Sequence, residues 1–149
     1  ANPLRVTSPA FDHRGMVPSR FTCDGADVSP PLSIAGLPEK TRALVLIVDD
    51  PDAPAGTWVH WVLWNIGAGT KAIPENTVPP GAIQGRNDFG KPGYGGPCPP
   101  SGTHRYYFKL YALDAPLALK SGATKGEVEA AMKGHVLAQA ELIGLYGRK

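Results

Sequence analysis

The chain has 149 residues and a formal net charge of +2. That length can bury a substantial core, and a near-neutral mix of charges excludes the clustered basic face that a nucleic-acid binder needs. The longest purely apolar run, Ala43–Val48, is far short of the roughly 20 residues of a membrane-spanning helix.

With 18 glycines and 16 prolines, long helices are disfavoured and strands joined by turns should dominate. The chain opens at Ala1 without a methionine, so a leader or the start methionine is expected to have been removed. Strand-like runs follow at Leu4–Thr7, Leu32–Ile34, Ala43–Asp49, Val59–Ile66, Ala82–Gly85 and His104–Leu113. Pro, Gly, Asn and Asp clusters separate them, as in an antiparallel β-protein. One helix is predicted from Thr124, whose hydroxyl and Glu127 three residues on form a capping box. Val128, Ala131 and Met132 supply its apolar stripe and Gly134 its stop. The closing segment, 135–148, has alternating Val136, Ala138, Ala140 and Leu142, and Gly144 and Gly147 weaken a helix, so it reads as a strand. One domain is expected over residues 1–149.

Three stretches carry chemistry. The run Asp49-Asp50-Pro51-Asp52-Ala53-Pro54 puts three carboxylates directly after an apolar strand. At least one of the three should be only solvated or turn-forming, since Asp-Pro pairs begin turns. His60 then appears inside an apolar strand; a period of two places it with Trp58, Val62 and Trp64. The same period places His104 and Tyr106 with Phe108 and Leu110. Immediately before His104, Gly90–Gly102 holds five glycines and four prolines, an arch able to bring bare backbone N–H groups to a ligand. A carboxylate beside an imidazole orients the ring and favours its protonated form. Together with a nest of glycine N–H groups and the Tyr106 hydroxyl, that set suits a small phosphate or carboxylate group.

Cys23 and Cys98 leave three readings open: one long-range disulfide, two free thiols, or a nucleophilic Cys98. A disulfide would favour an oxidising compartment or a thermophilic source.

Other chemistries fit less well. Gly85–Lys91 matches the first seven positions of a phosphate-binding P-loop, but Pro92 stands where a metal-binding Ser or Thr is needed. Two histidines and a carboxylate could bind iron or zinc. Here, however, they sit on separate strands with no closely spaced pair. No Gly-x-Ser-x-Gly elbow is present for a serine hydrolase.

The motifs Asp50–Pro54 (DPDAP), Trp58–Trp61 (WVHW), Gly85–Gly90 (GRNDFG) and Tyr94–Phe108 (YGGPCPPSGTHRYYF), with the opening Phe21–Leu32, resemble the phosphatidylethanolamine-binding protein family, the Raf-kinase-inhibitor-like proteins, in its short bacterial and archaeal form. The resemblance implies a mainly β fold: an antiparallel β-sandwich-like core with one or two short peripheral helices. It also implies an anion pocket at one end of the sheet. Carried over by motif position, Asp50, Pro54, His60, Gly96, Pro100, His104 and Tyr106 line it, with Cys98 standing where animal members have glycine, and Asp52 and Gly95 complete the expected ligand-binding set. The chain stops at Lys149, where animal members continue into a helix bordering the pocket, which implies a more open site.

The favoured reading is a non-enzymatic binding protein for a small anionic group, a phosphate or phosphorylated head group. A regulated kinase or protease and a second copy in a homodimer are carried as partners, and no cofactor or metal is required. The alternative is a hydrolase or isomerase on a small phosphorylated or acyl substrate, with His60 or His104 as general base. The compartment stays open: cytoplasmic, or periplasmic or secreted if Cys23 and Cys98 are bridged after leader removal.

Overall fold

The computed structural model describes residues 4–148; Ala1 and Lys149, on which the reading of the chain's two ends rests, lie outside the described residues. In chain order the elements are β1 (Arg5–Thr7), β2 (Leu32–Ala35), β3 (Ala43–Asp50), β4 (Trp58–Gly67), β5 (Ala72–Ile73), β6 (Ile83–Gln84), β7 (Gly102–Leu113), α1 (Lys125–Met132) and β8 (Val136–Arg148). A 3-10 turn covers Ser19–Phe21. Strands β1-β2-β5 form one antiparallel sheet and β6-β4-β3-β7-β8 a second, larger one, and neither closes into a barrel.

The two sheets pack face to face. Val6, Ile34 and Ile73 from the small sheet meet Leu46, Val48, Leu63, Phe108 and Leu110 from the large one. The opposite face of the large sheet buries Val45, Ile47, Val62 and Trp64 beneath Val128 and Met132 of α1. Every residue of β3 is therefore buried. This is why its sequence, ALVLIV, is continuously apolar and not alternating: both of its faces are covered. Full burial of Val128 or Met132 is worth about 1.5–3 kcal/mol each, the main tie between helix and sheet.

The capping box at α1 is present as expected: Thr124 accepts from the Glu127 amide and Glu127 reaches back to the Thr124 amide. The closing segment is a strand that pairs with β7 over nearly its whole length, with Leu142 in the core and Ala138 and Ala140 packed against it. Two details differ from the sequence reading. The Ala82–Gly85 strand shrinks to Ile83–Gln84, and the two-residue β5 at Ala72–Ile73 was not anticipated. Gly85 instead serves close packing, since a Cβ there would stand 2.4 Å from the Ala123 carbonyl oxygen and 2.8 Å from the Trp64 ring.

The larger correction concerns β4. Val48 pairs with Trp61 but Asp49 pairs with Val59, so His60 is an extra residue with no partner on β3. Such a bulge turns two successive side chains to one face. His60 therefore leaves the Val62 and Trp64 face, where a strict period of two put it, and joins Trp61 on the face that carries Tyr106. A second bulge follows between the Leu44 and Leu46 pairings. There Asn65 takes φ 57°, and its side-chain amide donates to and accepts from the Leu117 backbone at 2.9 and 2.7 Å.

Candidate functional site

The end of β3, the start of β4 and the start of β7 come together at one end of the large sheet. Between them lies a cavity of about 210 Å³. The end of β3, the turn after it and β4 supply Asp50, Ala53, Pro54, Trp58 and His60, the arch and β7 supply Cys98, Pro99, Pro100, His104 and Tyr106, and Phe89 also lines it.

Asp50 is held by the turn that follows it. Its Oδ1 accepts the Asp52 amide at 2.8 Å, a local turn bond typical of Asp-Pro sequences. Its Oδ2 lies 2.6 Å from His104 Nδ1. Both side chains are almost fully buried, at 4% and 9% exposure. His104 Nε2 is left for the cavity that the ring lines. His60 Nδ1 lies 2.6 Å from the Gly95 carbonyl oxygen. The His60 ring meets Phe89 and Tyr106 edge-on, with centroids 5.4 and 5.2 Å away. Burial pushes the His60 pKa below its ordinary value of 6.5, against the opposing pull of the Gly95 carbonyl and the Asp50 and Asp49 carboxylates.

The cavity thus brings Asp50, Pro54, His60, Pro100, His104 and Tyr106 together. Three other expected residues stand outside its lining. Asp52 faces outward and accepts the Arg105 amide, Nε and Nη2 at 2.8–2.9 Å. Hydrogen bonding to Arg105 lowers its pKa from 3.8 to about 2. Gly95 donates its amide to the His60 carbonyl, and Gly96 donates to Asp27 Oδ1 at 2.8 Å, so neither offers a free N–H to a ligand. Both glycines answer a packing need: a Cβ on Gly95 would strike the Phe89 ring at 2.4 Å, and one on Gly96 the Phe21 carbonyl at 2.4 Å.

The lining also includes residues that the sequence reading did not select: Ala53, Trp58, Phe89 and Pro99. Trp58 and Phe89 were visible as aromatic members of the WVHW and GRNDFG motifs, but nothing local tells a pocket aromatic from a core one. Cys98 bonds to Cys23, with Cα atoms 5.4 Å apart, and ties the arch to the turn after Ser19–Phe21. Among the described residues, no group of three or more His, Cys, Asp or Glu side chains is placed to hold a metal ion.

This two-sheet antiparallel architecture is that of a known class. A sequence model of the phosphatidylethanolamine-binding proteins matches residues 7–147, and the chain belongs to that family. Among its relatives are the UPF0098 proteins of Methanothermobacter thermautotrophicus, 53% identical over 97% of this chain and 99% of that one, and of Pyrococcus horikoshii, 52% identical over 98% and 77%. Two crystal structures superpose over all of both chains. A phosphatidylethanolamine-binding protein homologue of Chlamydia trachomatis, CT736, has a TM-score of 0.96 at 41% identity. Escherichia coli YbcL, described as a member of the mammalian family of these proteins, has a TM-score of 0.92 at 34%. No helix among the described residues is long and apolar enough to cross a membrane.

Proposed function

We propose that the chain is a non-enzymatic binding protein whose cavity takes a small anionic group of phosphoryl type. The observation that carries this reading is the buried Asp50–His104 pair at 2.6 Å, in a cavity that His60 also lines. Asp50 fixes the His104 ring through Nδ1, so a protonated His104 presents Nε2–H to an incoming oxygen from a preset direction. The remaining wall is mostly aromatic and proline, which excludes water and strengthens that one charged contact. Membership of a family of binding proteins supports the same reading, and the cavity wall has no serine, threonine, lysine or free thiol to act as a nucleophile.

Isothermal titration with inorganic phosphate and with phosphorylethanolamine tests it. Both should bind, and Asp50→Asn and His104→Ala should each weaken binding by about tenfold or more, the scale of a charge-assisted hydrogen bond. Arg105→Ala, outside the cavity, should leave affinity unchanged. Unaltered affinity in Asp50→Asn and His104→Ala would place the ligand elsewhere and end the proposal.

A further inference from the structure

The two histidines of the cavity differ in what holds them. His104 Nδ1 faces a carboxylate, whereas His60 Nδ1 faces a peptide carbonyl. A carbonyl oxygen only accepts, so the hydrogen of His60 must sit on Nδ1. The backbone enforces this choice from both directions: the Gly95 amide donates to the His60 carbonyl while His60 Nδ1 donates to the Gly95 carbonyl. A ring flip would put a carbon where Nδ1 stands and break the second bond. The residue is 3% exposed, so a neutral ring is favoured over a charged one. A neutral imidazole with its hydrogen on Nδ1 carries a lone pair on Nε2.

From this geometry we infer that His60 is an acceptor in the cavity, and that the site selects a small phosphate monoester that still carries a hydroxyl hydrogen, in preference to a phosphodiester or a sulfate ester. The inference rests on the phosphoryl-binding reading above and narrows it. His104 donates to a charged phosphoryl oxygen and His60 accepts from the P–OH. A phosphodiester, the form found in an intact phospholipid head group, has no P–OH, and neither does a sulfate ester. Each sets an oxygen lone pair against the His60 lone pair and leaves a buried acceptor without a donor. The cavity of about 210 Å³ has room for a phosphoryl group with a small ester substituent.

Three ligands with the same ethanolamine end separate the cases: phosphorylethanolamine, glycerophosphoethanolamine and ethanolamine O-sulfate. They are titrated near pH 6, about the second pKa of a phosphate monoester. The monoester should bind at least about tenfold more tightly than either other ligand. Equal affinity of all three would overturn the selectivity and leave the anion site standing; binding by none would overturn both. The titratable groups that line the cavity with His60 are Asp50 on β3 and His104 and Tyr106 on β7, and Asp49 acts on it from the far face of the sheet. These groups are common to all the ligands. The fall in affinity with rising pH should therefore follow the ligand, moving upward for methylphosphonate, whose second proton is held more tightly. Coincident falls would overturn the inference.

A fourth measurement needs no variant. Nitrogen-15 NMR of the unliganded protein at neutral pH should show His60 neutral with its proton on Nδ1. A charged ring, or a proton on Nε2, would overturn the inference. In a folded His60→Gln protein, whose amide can donate as well as accept, the preference for the monoester should collapse.

Discussion

Asp49 and Asp50 are adjacent on β3, equally buried, and lead opposite lives. Asp49, 1% exposed, points to the helix face of the sheet, where Lys109 and Lys125 both donate to its Oδ2 at 3.1 and 2.9 Å. Asp50, 3% exposed, points to the cavity face and meets only an imidazole and a turn amide. Two ammonium groups neutralise the first through Oδ2, and its Oδ1 is buried away from the cavity without a hydrogen-bond partner. The second orients a ring whose far nitrogen still faces open space. Burial of a carboxylate therefore does not mark a site; the partner does. The two faces also differ in what secures them. On the helix face ion pairs reach the strand from α1 and β7, and on the cavity face a disulfide holds the arch.

The sharpest test of that difference is covalent. Replacing Cys23 and Cys98 together by serine releases a cross-link across 75 residues, worth about 4–5 kcal/mol in the chain-entropy account. Urea denaturation should show a loss of that order, and a loss under 1 kcal/mol would mean the arch is secured by its other contacts. Next in size, Lys109→Met with Lys125→Met strands the Asp49 carboxylate and should cost about 3 kcal/mol, the low end for a broken buried pair because both lysines are partly exposed. Adding Asp49→Asn should restore most of it, and phosphorylethanolamine binding should be unaffected throughout. If binding falls in the folded double variant, the two faces are coupled and the contrast fails.

Smaller effects come from protons. The folded state holds the His60 pKa below 6.5, so the unfolded chain takes up a proton first as the solution is acidified. Stability should fall as pH drops from 6.5 through the lowered folded value, and rise again on return. The His60→Gln variant should lack that part of the slope; an identical slope would assign it to other groups. The smallest effect belongs to the outward Asp52–Arg105 fork. Its contribution is present above pH 3.8 and is lost as pH falls through about 2. Arg105→Ala should remove this acid-range component, measured by acid titration of the unfolding midpoint, with little change at neutral pH because the pair is exposed to solvent.

How much of this could be seen in the residues alone varies by element. The α1 cap was legible because Thr124 and Glu127 settle it within one turn. The double coverage of β3 was legible in its unbroken apolar run. The two-residue β5 carries no periodicity of its own and exists only by pairing with Leu32 and Ser33. The face of His60 was misassigned because a bulge is a property of two strands, invisible in either one. Gly95 and Gly96 suggested amides ready for a ligand, and in the fold both amides are already bonded.

By itself, then, the amino-acid sequence determined a β-rich chain, its longer strands, its capped helix and the motifs that gather at one end, because those depend on neighbours a few positions apart. Tertiary structure alone decided which of two adjacent aspartates faces the cavity and which nitrogen of His60 holds its proton. Strand register and a carbonyl 35 residues away set those outcomes, and neither is encoded within reach of the residue it governs.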